Sequence, residues 1–289
     1  MGCAGEVTLT WARGQDCGTL EAMRIVVCVK HVPDMQSERR FEGGRLVRGE
    51  DDVLNELDEN AIEAAVSLKE SEEDAGREAE VVAVTMGPED AEDALMRALQ
   101  MGADRAYLVS DEFLEGSDVI TTASVLSVAI AKIADECGPV DLVVTGMASL
   151  DAMTSMLPGA LAAKSRLPLL GLARTLSVEG GVVTIERNAD GFTETLRAAL
   201  PAVVSVTDQI NEPRYPAFAA MKAARKKPLD QWGIDDLVEV PGGEDLVLRR
   251  ALTSVTFSEE NVRDGSGTII ADSGDGARAL ADYILSVVK

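Results

Sequence analysis

The residues best placed to do chemistry lie in one turn, Gly146 to Ser155 (GMASLDAMTS). It offers small side chains, the hydroxyls of Ser149, Thr154 and Ser155, and a single carboxylate, Asp151. Nowhere in the chain is there an evident nucleophile–base pair or a cluster of carboxylates suited to proton transfer. Asp151 has a plain reading as a turn residue. The turn is better suited to holding an anion or a nucleotide than to cleaving one. Many α/β proteins carry a similar turn with nothing bound, so the reading needs support from the surrounding elements.

Those elements set the turn in a recognisable frame. Val140 to Thr145 (VDLVVT) is a short, mostly apolar run, as in a buried parallel strand. The chain is expected to turn helical around Thr154 and to stop before Pro168. A strand, loop and helix in this order place ligands beyond the strand's carboxyl end, beside the free N–H groups of a helix start.

Upstream, the same rhythm repeats. Arg24 to Lys30 reads as a first strand, stopped by Pro33, with Lys30, His31 and Asp34 on the ligand side. A lone histidine there is more often an ordinary loop residue than a ligand. Gly43-Gly44 suggests a hairpin or an excursion between Phe41 and Glu50. Leu57 to Glu70 has helical spacing, with Asn55 as its expected N-cap. Glu80 to Thr85 and Arg105 to Val109 read as further strands, with a helix between them capped by Gly102. A long helix over Val119 to Cys137, capped by Ser117 or Asp118, precedes the central strand. This alternation predicts an α/β fold with a doubly wound, mostly parallel sheet and right-handed crossovers.

Past Pro168 the pattern changes. Leu169 to Val178, Val182 to Arg187 and Thr193 to Leu200 are strand-like, with Gly-containing turns between them, which predicts an antiparallel hairpin extension. Ala202 to Val206 is an apolar run, expected to return to the main sheet. From Asn211 the α/β rhythm is lost. A short helix with a basic end spans Ala217 to Lys227, LVLRRALTSVTF is strand-like, and Ala277 to Val288 is a final helix. The tail reads either as a small subdomain or as an arm that wraps a partner. The expected division is residues 1–22 as a disordered or non-native extension, 23–210 as a nucleotide-binding α/β domain, and 211–289 as a docking segment and C-terminal arm. Met23 opens the better start, MRIVVCVKHVPD.

The bulk composition excludes several classes. The 289 residues carry a net charge of −23, against the concentrated Lys and Arg that nucleic-acid binding needs. Hydrophobic content is 46% and aromatic content 3%, so aliphatic side chains must build the core. No apolar run reaches the roughly 18 residues of a membrane span. The four cysteines form no CxxC pair and there is one histidine, so no metal site is expected. Free thiols suit a reducing compartment, and a cytoplasmic location is expected.

Several segments, in order, resemble one family: VKHVPD, LDENAIEAAVSLKE, MGADR, VDLVVTGMASLD, ERNADGFTETL and NEPRYP. Together they resemble the β subunit of electron transfer flavoprotein, over Arg24 to about Pro228. The resemblance implies a heterodimer with an α subunit that holds most of an FAD. It implies an electron carrier, not an enzyme, linking flavoprotein dehydrogenases of the acyl-CoA type to a quinone oxidoreductase or other acceptor, as in fatty acid oxidation. It also implies a sheet akin to adenine-nucleotide hydrolases, with AMP, or in bifurcating members a second FAD, bound to the β subunit. Carried over by position, the nucleotide contacts are Cys28, Asn55, Glu56, Leu57, Asp58, Met86, Gly146, Met147, Ala148, Ser149, Leu150, Asp151, Thr154 and Ser155. The docking anchor falls at Phe218, with Met221 beside it. This chain departs from the family in its loop, DAMTSMLPG, in Asn55-Glu56-Leu57 and in Met35 at a flavin-facing position.

Two rivals compete. An ATP-using enzyme of the adenine-nucleotide hydrolase type needs a glycine-rich loop after the first strand, and VKHVPD has none. Gly159 to Ser165 (GALAAKS) lacks the glycine before Lys164 that a P-loop requires. A nucleotide-binding stress protein would leave the hairpins and NEPRYP unexplained.

Overall fold

The computed structural model describes residues 22–37, 40–49, 51–246, 251–259, 269 and 271–288. It divides into two compact units, one ending at Val255 and the other beginning at Thr256. The expectation for residues 1–22 lies outside the described residues, Ala22 excepted.

The first unit opens with β1 (Met23–Cys28). β2 (His31–Pro33) pairs antiparallel with β5 (Asp52–Leu54), and between them β3 (Phe41–Glu42) and β4 (Arg45–Leu46) form the expected hairpin. There follow α1 (Glu56–Asp74), β6 (Ala79–Met86), α2 (Glu92–Met101), β7 (Arg105–Val109), α3 (Val119–Cys137), β8 (Leu142–Gly146) and α4 (Leu157–Ser165). Then come β9 (Leu169–Ala173), β10 (Thr175–Glu179), β11 (Val182–Ala189), β12 (Phe192–Ala199) and β13 (Ala202–Val206). The unit closes with α5 (Phe218–Ala224), β14 (Leu229–Trp232) and α6 (Ile234–Val238).

Seven strands form one sheet in the order β14-β7-β6-β1-β8-β13-β9, and every neighbouring pair is parallel. β1 sits at the centre, with β6 and β7 added on one side and β8 on the other. The connection therefore reverses direction between β1 and β8, and that reversal opens a crevice at the strands' carboxyl ends.

The alternation of side chains along each strand supplies two cores. Ile25 and Val27 face α1 and α2, with Ala61, Ile62, Ala65, Leu95 and Leu99. Val26 and Cys28 face α3 and α4, with Val125, Ile130, Ile133 and Leu161. Burying one such aliphatic side chain contributes roughly 1.5–3 kcal/mol, so short Val- and Ile-rich runs suffice to fix the sheet. β10, β11 and β12 form the separate antiparallel sheet expected from the Gly-containing turns.

Four local expectations are corrected. The helix does not begin near Thr154 but at Leu157; Met153 and Ser155 take φ of 48° and 51°, which no helix accepts. Leu169 to Val178 is two strands, split at Arg174 where β9 leaves the main sheet and β10 enters the hairpin sheet. The main sheet gains an edge strand, β14, from a segment without strand periodicity. In LVLRRALTSVTF, the described residues Leu246 and Ala251 to Phe257 form no strand.

The second unit contains α7 (Gly276–Val287), close to the predicted final helix. Leu280, Tyr283, Ile284 and Val287 share one of its faces, and all four are exposed. Among the described residues, no helix is long and apolar enough to cross a membrane.

Candidate functional site

The crevice between β1 and β8 is built by the start of α1. Asn55 is fully buried, yet its side chain does not cap the helix. Its Nδ2 donates to Ala148 O at 2.9 Å, and its Oδ1 accepts from Leu150 N at 3.0 Å. One amide thus pins two points at the start of the loop after β8, which explains why a cap-like residue is spent elsewhere.

Asp58, one turn later, is buried between the two strand ends. Its Oδ2 accepts from Lys30 N at 2.9 Å, and it also accepts from the Gly146 backbone and the Asn55 side chain. Burial pushes its carboxyl up to about 7, although these donors pull the other way. Gly146 is required by this contact. A Cβ there would stand 2.5 Å from Asp58 Oδ1 and 2.7 Å from Leu57 O.

Asp151 is held by two cations. Lys30 Nζ lies 2.8 and 3.0 Å from its two oxygens, and Arg48 Nη2 bonds Oδ2. Arg48 also donates to His31 O at 3.0 Å, tying the β3–β4 excursion to the loop. Burial raises the Asp151 carboxyl, but Lys30 and Arg48 outweigh it and hold the group down near 2. The lone loop carboxylate is therefore a brace as well as a turn residue.

Thr154 and Ser155 are exposed at the start of α4, whose N-cap position, Met156, makes no side-chain cap. A cleft of about 480 Å³ opens there. It is lined by Met147, Ser155, Met156, Gly159 and Ala160 on one side and by Gly171, Leu172, Arg187 and Ser205 on the other. Leu172 has φ of 64°, and its N–H is taken by Ser205 Oγ at 2.9 Å, so β9 bulges toward the cleft.

The structure brings most of the predicted set together. Cys28, Met86 and Gly146 end or nearly end three adjacent strands, and Asn55 to Asp58 open the helix above them. Cys28 is buried and its thiol is pushed up to about 12, first by burial and then by Asp58, so it offers backbone only. Glu56 points to solvent. Sequence reasoning placed Lys30 on the ligand side without its partner, and missed Arg48, Leu172, Arg187 and Ser205. Asp151 as the only loop carboxylate was the available signal for a cation partner. The bulge at Leu172 left none. Phe218 stands on the surface and is 80% exposed, while Met221 is half-buried. Among the described residues, no cluster of metal-ligating side chains is present.

An all-parallel sheet with its crevice at the β1/β8 reversal, flanked by an antiparallel extension, defines a doubly wound α/β protein. Comparison narrows this class. Residues 44–237 match the electron transfer flavoprotein domain. A relative described as electron transfer flavoprotein subunit beta, from Mycobacterium leprae, is 38% identical over 266 residues, covering 91% of this chain and 97% of its own. Another of that description, from Megasphaera elsdenii, is 30% identical over 269 residues, with 91% and 97% covered. The caffeyl-CoA reductase-Etf complex subunit CarD of Acetobacterium woodii is 30% identical, with 92% and 98% covered. The chain belongs to the electron transfer flavoprotein family, on the side of its beta subunits.

Proposed function

We propose that this chain is the β subunit of a heterodimeric electron carrier, which binds an adenine nucleotide in the β1/β8 crevice and scaffolds a flavin held mainly by an α subunit. The observation that carries this reading is the bracing of the loop after β8 by Asn55 and Asp58, where the strand order reverses between β1 and β8. A neighbouring cleft of about 480 Å³, between α4 and the β9–β13 edge, shares Met147 and Ser155 with this loop; its volume falls within the range of small-molecule sites, and Gly159, Ala160 and Gly171 leave room there for part of the nucleotide. The backbone at the uncapped start of α4, with Thr154 and Ser155, would meet the phosphate. A second FAD in this place is the alternative ligand. FAD supplies the redox chemistry when bound; the protein's part is to position it and to exclude side reactions.

The donors would be flavoprotein dehydrogenases of the acyl-CoA type, and the acceptor a quinone oxidoreductase or equivalent, in the cytoplasm. Phe218, with Met221, would anchor the dehydrogenase. The apolar stripe of α7 supports the reading of the tail as an arm for the α subunit. No side-chain pair in the crevice suits acid–base or nucleophilic catalysis, so the chain is read as a carrier and not an enzyme.

Co-expression with the candidate α subunit, followed by denaturation and counting of released nucleotides, tests the reading. One FAD and one AMP per heterodimer are expected. A stable homodimer that hydrolyses ATP and retains no flavin with any α subunit would refute it. Phe218→Ala should slow electron acceptance from the acyl-CoA dehydrogenase without changing FAD content; equal turnover would reject the anchor.

A further inference from the structure

The cleft between α4 and the β9–β13 edge adjoins the loop after β8 through Met147 and Ser155. The chain carries a net charge of −23, yet no carboxylate lines this cleft, and Arg187 is the one charged residue in its wall. Alternation along β11 explains how that charge comes to be there. Val183, Ile185 and Arg187 share one face of the strand, and the first two are fully buried in the core beneath the main sheet. Arg187 is the next position on that face, and 30% of its side chain is exposed.

The guanidinium is only half committed. Glu194, opposite Arg187 in the β11–β12 register, accepts from its Nε at 2.7 Å. That bond fixes the fork, while Nη1 and Nη2 have no acceptor among the described residues. Ser205 on β13 is 3% exposed and also has a donor to spare. Its Oγ accepts from Leu172 N at 2.9 Å, but its hydroxyl hydrogen has no acceptor among the described residues. Buried donors are seldom left unpaired, so this one points to an acceptor supplied by a ligand. Gly171 keeps the approach open: a Cβ there would stand 3.6 Å from Ser205 Oγ. The first turn of α4 contributes the N–H of Gly159, which also has no acceptor among the described residues. Donors from β11, β13 and α4 thus line one cleft whose wall holds no carboxylate.

We propose that this cleft is the phosphate subsite of the nucleotide site, in which Arg187 Nη1 and Nη2 and the Ser205 hydroxyl, with Gly159 N–H, bind the phosphate monoester of a nucleotide whose adenosine occupies the β1/β8 crevice. The inference rests on the reading of that crevice as an adenine-nucleotide site and adds the residues that recognise the anionic end. A planar guanidinium matches the oxygens of a phosphate, and charge-assisted bonds of this kind are about twice as strong as neutral ones. A phosphate held there joins β11 of the hairpin sheet to α4 and β13 of the main layer. The ligand thereby fastens the hairpin sheet to the parallel one.

The test uses the assembled heterodimer, freed of nucleotide by exhaustive dialysis and titrated calorimetrically with AMP and with adenosine. The native protein should bind AMP about a hundredfold more tightly than adenosine. Arg187→Gln should weaken the Kd for AMP about thirtyfold and leave that for adenosine within about twofold, and Arg187→Lys should recover part of the loss. Ser205→Ala should act in the same direction, about fivefold. Inorganic phosphate should compete with AMP on the native protein and not with adenosine. If the native protein binds neither AMP nor adenosine, the reading of the crevice itself fails. If it binds both equally, the crevice stands and the phosphate subsite is refuted. If Arg187→Gln weakens AMP and adenosine alike, or changes neither, the role of Arg187 is refuted. Should that variant fail to fold, the native protein and Arg187→Lys decide: no competition by phosphate, or a Kd for AMP in Arg187→Lys that shifts in step with that for adenosine, overturns the proposal.

Discussion

Replacing Asp58 by asparagine tests the crevice at its most sensitive group. Burial raises this carboxyl from 3.8 to about 7, so ionising it costs more in the folded protein than in the unfolded chain. The sign follows directly: between those values the folded state holds a proton that the unfolded state has released. Stability from this group is complete below 3.8 and is lost as pH rises through about 7. The full loss corresponds to about 4 kcal/mol, at about 1.4 kcal/mol for each pH unit. The asparagine side chain of the Asp58→Asn variant would keep an oxygen to accept from Lys30 N and would not titrate. The expected result is a difference in unfolding free energy, variant minus native, that grows by about 1.4 kcal/mol per pH unit between roughly pH 4.5 and 7 and is flat above about 7.5. Urea titrations of both proteins at fixed steps across that window measure it. Taking the difference cancels every other titrating group, including the carboxylates of Asp151 and Asp118, whose low values place their contribution below the window. Only the slope is diagnostic, since the amide Nδ2 of the variant adds a constant offset wherever it faces a backbone donor. Parallel curves would refute the account of Asp58 as a buried acid between β1 and β8.

Asn55→Asp should destabilise by about 2–4 kcal/mol, because a carboxylate oxygen would then face the Ala148 carbonyl in a fully buried position, and chemical denaturation reads the loss. It should also raise protease sensitivity within Met147 to Asp151. Gly146→Ala should cost about 1–3 kcal/mol and reduce the nucleotide retained after gel filtration, since its Cβ would collide with Asp58 and Leu57. Asp118 caps α3 through Thr121 N and also accepts from Leu252 N at 2.9 Å and Thr253 N at 3.1 Å. Asp118→Ala should lower stability by about 1 kcal/mol and speed amide exchange at Leu252 and Thr253 together, where an ordinary N-cap loss would leave those two unchanged.

The strands that flank the crevice were legible because burial on both faces makes them short continuous apolar runs, as in MRIVVC, AEVVAVTM and LVVTG. β14 was not, since LDQW is an edge strand with two exposed positions and needs only one neighbour. The start of α4 was misplaced because Met153 and Ser155 occupy the left-handed region without a glycine to announce it. Asn55 has the composition of a cap, and only the fold shows that its amide reaches 93 and 95 residues along the chain. The grip of Lys30 on Asp151 spans 121 residues and leaves no periodic trace. Side chains placed by local pattern were readable; those recruited by the sheet's reversal were not.

The charge arrangement in the crevice bears on whether it holds a ligand or transforms one. The chain is strongly acidic, yet the two carboxylates nearest the loop present little negative charge. Asp151 is matched by two cations, Lys30 and Arg48, which leaves a surplus of one positive charge. Asp58 is close to neutral below about pH 7 and has its oxygens turned to backbone donors. The uncapped start of α4 adds partial positive charge. A phosphate can therefore approach this loop without local repulsion, on a chain whose net charge is −23. Neither carboxylate suits proton transfer near neutrality: Asp151 is held near 2, far too acidic to take a proton, and Asp58 is sealed behind Lys30 and Gly146. Such an arrangement suits holding an anion without transforming it, which agrees with the proposed carrier role.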